Sequence, residues 1–183
     1  MIQIAEGPAP QAPGFDDPIG LLEACHARIA GHCATLERLQ RHLDDVGPDA
    51  AARVSAQRIL HYFDTAGVWH HQDEEQDLQP LLEAALRACD DTATLALLHA
   101  LMTEHAALDQ VWRPLRAGLV AVQEGRWTGT LPIEPYVSMM RSHYARENTT
   151  LFVRARALLD IEALAKLGAA MAARRGVQFE GSS

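Results

Sequence analysis

The chain has 183 residues, 48% hydrophobic and 22% charged, which suits a single globular domain with a sizeable core and excludes a disordered chain. Its formal net charge of -8, from 16 Lys+Arg against 24 Asp+Glu, disfavours nucleic acid and anionic membranes as partners, since both need basic patches. Cys25, Cys33 and Cys89 cannot all pair within the chain and form no C-x-x-C, so they read as buried thiols of a reducing compartment. The N-terminus has neither a basic region nor an apolar run, and no stretch approaches the roughly 18–20 apolar residues of a membrane span, so a cytoplasmic protein is expected.

Residues 1–18 carry Pro8, Pro10, Pro13 and Pro18 without a helical period and are expected to form a flexible arm. Asp16 or Asp17 is placed to cap a first helix whose opening turn holds Pro18. That helix runs to about Val46, stops at Gly47-Pro48, and carries the stripe Leu22, His26, Ile29, Cys33, Leu36, Leu43. A second helix starts near Asp49 and continues to about Gln79, with the stripe Ile59, Phe63, Ala66, His70, Glu74. Pro80 ends or kinks it, and Leu81 to Cys89 forms a short separate helix. Asp91 caps a third helix reaching about Gln123, with the stripe Leu98, Leu101, His105, Leu108, Trp112, Leu115, Leu119 and a kink allowed at Pro114. After a loop from Gly125 to Pro132, a fourth helix runs from about Ile133 to Leu159, with the stripe Tyr136, Met140, His143, Glu147, Leu151, Arg154, Leu158. Asp160 caps an alanine-rich fifth helix to about Arg174, and the tail 176–183 is expected to be loose. No window reads as a strand. Four long helices with short connections predict an all-α, up-down-up-down four-helix bundle over residues 19–175, with a short extra C-terminal helix.

Each stripe is apolar except where a histidine interrupts it, at His26, His70, His105 and His143. On the second and fourth helices a glutamate follows at i+4, Glu74 and Glu147, on the same face one turn on. Six ionisable groups buried without partners would cost several kcal/mol for each charge. A cation that accepts all six removes the cost. Imidazole with carboxylate is the donor set of non-haem iron, manganese or zinc, and two His-x-x-x-Glu pairs suggest two metals with Glu74 and Glu147 placed to bridge them. Counting along antiparallel helices puts all these residues toward one end of the bundle. A single Glu-x-x-His, Glu23 to His26, falls short of the two copies that mark ferritin-like di-iron bundles.

Together the fragments resemble the hemerythrin-like, HHE cation-binding family. They are His26-x-x-Ile29, His70-His71-x-x-Glu74-Glu75 ahead of Leu78 and Pro80, Glu104-His105, and His143-x-x-x-Glu147 ahead of Leu151-Phe152, spanning roughly residues 19–160. The resemblance implies a four-helix bundle with a non-haem di-iron centre. Two departures separate the chain from the oxygen carriers of that family. Leu101 stands where the third helix would carry a second histidine, and the last motif is His-x-x-x-Glu rather than His-x-x-x-x-Asp.

The sequence therefore reads as a non-haem di-iron protein that holds metal through His26, His70, Glu74, His105, His143 and Glu147 and binds O2, NO or peroxide for sensing, storage or detoxification. No dedicated enzyme activity is expected beyond weak peroxidase or NO-reducing turnover. The residues leave two alternatives open: a metal-free helical interaction module, monomeric or homodimeric, and a structural zinc or manganese bundle with the same ligands. The register His71–Glu75 is also allowed by spacing, although these two project about 100° from the chosen face, beside the ligands or at the surface. Glu104 is expected to project elsewhere, and His32, His42, His61 and His99 are expected at the surface.

Overall fold

The computed structural model describes residues 12–126 and 129–179. The expectations for residues 1–11 and 180–183 fall outside them. The helices are α1 (Pro18–Asp45), α2 (Ala50–Asp64), α3 (Ala66–Gln72), α4 (Gln79–Ala88), α5 (Thr92–Gln123), α6 (Ile133–Arg146), α7 (Phe152–Leu158) and α8 (Ile161–Arg174). Two π-helical segments, Asp73–Leu78 and Glu147–Leu151, join α3 to α4 and α6 to α7. No strand occurs among the described residues.

Asp17, Asp49, Asp91 and Asp160 cap α1, α2, α5 and α8, each accepting a backbone N–H three residues on at 2.8–3.1 Å. Such caps satisfy donors that a helix start leaves free. α5 passes Pro114 unbroken, because Pro114 and Gln110 are exposed and water can serve the carbonyl that proline cannot. The expected continuous second helix breaks at Thr65, whose φ of -126° and ψ of -84° leave the helical region while its hydroxyl donates to the His61 carbonyl at 2.6 Å. The break puts Gly67, not Ala66, in the buried slot between Phe63 and His70.

α1 packs on α2, α2 on α5, α5 on α6, and α6 back on α1, so four helical rods close a ring around the core. α8 folds back over α1 and over Asp73–Leu78. Phe15 packs into the same corner, with its carbonyl where a Cβ at Gly168 would lie 1.9 Å away, so only glycine admits this approach. Cys25 and Cys33 are buried as expected, whereas Cys89 is exposed, because it caps α4 one turn beyond the last buried residue, Leu86.

The core is two apolar clusters. One gathers Ile29, Phe63, Leu108, Trp112 and Met140 with the residues beyond them; the other gathers Leu22, Leu78, Leu101 and Leu151 with α8. The histidine–glutamate layer lies between them, not toward one end of the bundle. The helices α4, α7 and α8 fall on expected helices, but counting heights along the four long helices leaves out the second cluster they build past the layer.

The π segments answer a specific spacing. Along α5 buried positions alternate steps of three and four, as in Leu98, Leu101, His105, Leu108, Trp112 and Leu115. Along the second rod the inward positions His70, Glu74, Leu78, Leu82, Leu86, and along the fourth His143, Glu147, Leu151, Ala155, Leu159, fall at steps of four, with Asp73 and Phe152 buried beside them. Four such steps would carry a stripe about 160° round an ordinary α-helix. A wider π turn takes up much of that drift and keeps both glutamates and the following leucines facing inward.

Candidate metal centre

The six donors arrive on four rods: His26 from α1, His70 and Glu74 from α3 and its π turn, His105 from α5, His143 and Glu147 from α6 and its π turn. All are buried, Glu147 to 0% and Glu74 to 1% relative exposure. Glu74 Oε1 lies 3.4 Å from His70 Nε2 and 3.7 Å from His26 Nε2, while its Oε2 lies 3.5 Å from His105 Nε2. Glu147 Oε2 lies 3.3 Å from His26 Nε2 and its Oε1 3.1 Å from His143 Nε2. The donors thus fall into two groups, one around His26 and His70 and one around His105 and His143, with each carboxylate offering one oxygen to either group.

These contacts are close but are not hydrogen bonds. His26 Nε2, His70 Nδ1 and all four carboxylate oxygens of Glu74 and Glu147 are buried without a hydrogen-bond partner among the described residues. Unpaired buried polar atoms at this density are costly. The tautomers sharpen the point. His105 Nδ1 donates to Glu75 Oε1 at 2.6 Å and His143 Nδ1 to Glu104 Oε2 at 3.2 Å, since a carboxylate can only accept. Their Nε2 lone pairs then face each other at 3.0 Å, a repulsive arrangement unless a cation or proton sits between them. His26 likewise donates from Nδ1 to Asn148 Oδ1 at 2.7 Å, aiming its Nε2 at the carboxylates. The donor set fits a metal ion: Glu74, His105, His143 and Glu147 form one cluster that could hold one, and His26, His70 and Glu74 another.

Without metal the electrostatics are strained. Burial, then the charge of Glu147, pushes Glu74 up to about 8. Burial also opposes charge on Glu147, but His143 and His26 outweigh it and hold that carboxyl below its ordinary value. His26 rises to about 10, its burial overcome by Glu147 and Glu74. Burial first, and neighbouring imidazoles second, hold His105 down at about 4 and His70 well below its ordinary value. His71 is half-buried, stacks on His105 with centroids 4.1 Å apart, and is lowered to about 3 by burial.

The sequence-expected donors His26, His70, Glu74, His105, His143 and Glu147 all meet in this layer. Glu75 and Glu104 do not join it; they serve as acceptors for His105 and His143, and Arg146 pairs with Glu104 from outside. His42 bonds Asp49 at 2.9 Å and His99 faces Glu83 at 3.3 Å, both away from the layer. Sequence reasoning missed Asn148, which follows Glu147 directly, and an arginine clamp. Asp73, next to Glu74 and 0% exposed, is paired with Arg174 and, at 2.6 Å, with Arg175 from α8. Arg174 also reaches Asp77 at 2.6 Å, and Arg175 lies 5.8 Å from the Trp69 ring centroid. The signal was a charged residue beside the ligand on a stripe that already had its solvated face.

Residues 17–166 match the hemerythrin HHE cation-binding domain. An uncharacterized protein of Haemophilus influenzae is 30% identical over 166 residues, covering 90% of this chain and 93% of that protein. Uncharacterized proteins of Mycobacterium tuberculosis and Mycobacterium bovis are 32% identical over 117 residues, 64% of this chain and 43% of their own length. With the buried histidine–glutamate layer where that domain match lies, the chain belongs to the hemerythrin HHE cation-binding family.

Proposed function

We propose that the layer holds two iron ions in the cytoplasm, through which the protein binds O2, NO or peroxide for sensing, storage or detoxification. One ion would be held by His26 and His70 and the other by His105 and His143, with Glu74 and Glu147 each offering one oxygen to either ion. The observation that carries this reading is the set of orphaned carboxylate oxygens of Glu74 and Glu147, buried between the His26–His70 and His105–His143 pairs with one oxygen of each turned to either pair. Six residues leave positions for exogenous ligands on two six-coordinate ions. Ferrous iron at such positions would supply reducing equivalents to a small oxidant.

The chain's own part is to orient and to exclude. Glu75, Glu104 and Asn148 hold the Nδ1 protons that fix three imidazoles with Nε2 inward, the outer-shell support that tunes ligand basicity. Phe152 stacks on His26 at 5.2 Å and Leu78, Leu101 and Leu151 close one side against water. We infer an up-down-up-down topology for the rods. The first apolar cluster follows the donor on α1 and α5, at Ile29 and Leu108, but precedes it on the other two rods, at Phe63 and Met140.

Elemental analysis of anaerobically purified protein, followed by absorption spectra on admitting air, tests the proposal. About two irons per chain with a new near-ultraviolet and visible band supports it. Zinc or manganese with no iron uptake keeps the ligands but overturns the iron function. No metal, and none after reconstitution, leaves a plain helical bundle and sinks it.

A further inference from the structure

A cavity of about 260 Å³ opens beside the donor layer, and it is not formed by the donors. Its position follows from helical register. Ile29 stands three residues after His26, Leu108 three after His105, Gly67 three before His70 and Met140 three before His143, and all four line it. The cavity therefore occupies the level one helical turn from the layer, with a residue from every rod. The second rod contributes glycine, the residue the Thr65 break brings into that slot, so one of the four walls lacks a side chain. An added Cβ at Gly67 would lie 3.3 Å from the Phe63 ring. The far wall is aromatic: Phe63, Trp112 and Tyr136 pack with centroids 4.8–5.5 Å apart.

We infer that this cavity is a binding site for a compact, neutral, apolar organic molecule, about the size of one substituted aromatic ring, held one turn from the donor layer. Its volume suits a ring rather than a diatomic alone, since an apolar cavity of about 150 Å³ already accommodates benzene. The buried wall is apolar and aromatic, which rewards flat apolar ligands. Neutrality follows from the rim. Arg116 is bonded to Asp64 at 2.7–3.2 Å and Arg113 to Asp109 at 2.5–2.9 Å, so the mouth offers no uncompensated charge. His71 is the polar group between the two compartments, lining the cavity while stacking on His105. The binding claim needs no metal; that the occupant serves the centre as substrate or effector rests on the function proposed above.

Two variants address the cavity without touching a donor. Gly67→Leu fills it from the missing wall. Val68→Trp plugs the mouth from a position 45% exposed, where a larger side chain leaves the core undisturbed. The probe is fluorobenzene, followed by fluorine NMR line broadening with the chelated protein and again with the iron-loaded protein. Saturable one-to-one binding to both forms, weakened at least about tenfold in each variant that folds, is the expected result. No saturable binding to the chelated protein overturns the proposal, as does binding of unchanged affinity to the plugged variant. Fluorobenzene binding in a protein that takes up no iron would uphold the cavity and sink the di-iron reading separately. Unaltered metal content in Val68→Trp shows that its effect is on the cavity.

Discussion

The two His-x-x-x-Glu halves are alike in sequence and in backbone, yet they are held in opposite ways. In each, the histidine lies on an α-helix and a π segment takes the leucine four residues beyond the glutamate to the core. Around Glu147 the support is internal: His143 and His26 face its two oxygens, and Asn148 bonds His26. Around Glu74 it is external, because Arg174 and Arg175 grip the neighbouring Asp73 from α8 while Glu74 itself faces a second buried carboxylate. Equal donors can thus be preorganised by unequal means. One carboxyl is drawn toward its charged form by the imidazoles it faces, and the other is pushed toward its protonated form by burial and its neighbour's charge until metal arrives.

The largest test of that asymmetry is in chelated protein. Glu147→Gln removes the anion facing His26 and His143, leaving buried imidazolium without its partner, and should cost about 3–5 kcal/mol in urea denaturation. Glu74→Gln replaces a carboxyl whose ionisation burial and the Glu147 charge already oppose, and should change stability by less than about 1 kcal/mol. Both variants should lose metal. Equal damage from the two in the absence of metal would show that the halves are not held differently.

Next in size is the clamp. Asp73→Asn breaks the pairing with two arginines that are only 14% and 17% exposed, and should cost about 2–3 kcal/mol. Metal affinity should fall with it, since Asp73 begins the π turn that presents Glu74. The nearest equivalent on the other half, Arg146→Ala, removes only a partly exposed partner of Glu104 and should cost under about 1 kcal/mol. Thermal melts and metal titrations of the pair decide whether α8 matters to the site.

Much of this was written in local pattern. Asp91 and Asp160 announce their helices, the pair Asp16–Asp17 leaves only which of the two caps the first, and the six layer residues stand out because a charge on an apolar stripe has few bland explanations. The π turns were also present, as runs of fours at His70–Glu74–Leu78–Leu82–Leu86 and His143–Glu147–Leu151, but a three–four template reads such runs as ordinary helix. The rest is tertiary. Arg174 meets Asp73 across 101 residues, and no spacing encodes that meeting. The central level of the layer depends on α8 and Phe15 covering a second cluster, and Cys89 is exposed only because α4 ends there.

Acid and alkali should separate the protonated half from the paired one. His70, His71 and His105 have folded pKa values below that of an unfolded histidine. Between about pH 6.5 and 4 the unfolded chain takes up more protons than the native one, so stability falls on acidification by about 1.4 kcal/mol per pH unit for each net proton. Glu74 at about 8 and His26 at about 10 act in the opposite direction. The native chain holds Glu74's extra proton from about pH 4.5 and His26's from about pH 6.5, and stability is lost as pH rises through their folded values. Chelated protein should therefore be most stable near pH 6.5. Metal displaces both protons, so loading should release protons and flatten the alkaline limb. A monotonic profile in chelated protein would contradict the assigned directions.

The smallest effect concerns the imidazoles themselves. His26, His105 and His143 each have an acceptor for Nδ1, whereas His70 has none among the described residues. Asn148→Ala should leave the fold almost intact, at a cost of about 1 kcal/mol, because His26 loses one hydrogen bond but keeps its stacking on Phe152. The ring is then free to choose its tautomer, and metal affinity should fall by about 10- to 100-fold. Asn148→Asp restores an acceptor and should recover most of that loss, which a purely structural role for Asn148 would not require. Iron titrations of the two variants separate these outcomes. Affinity unchanged in Asn148→Ala would mean that carboxylates and packing alone aim His26, making the internally supported half as independent of this partner as His70 is of any.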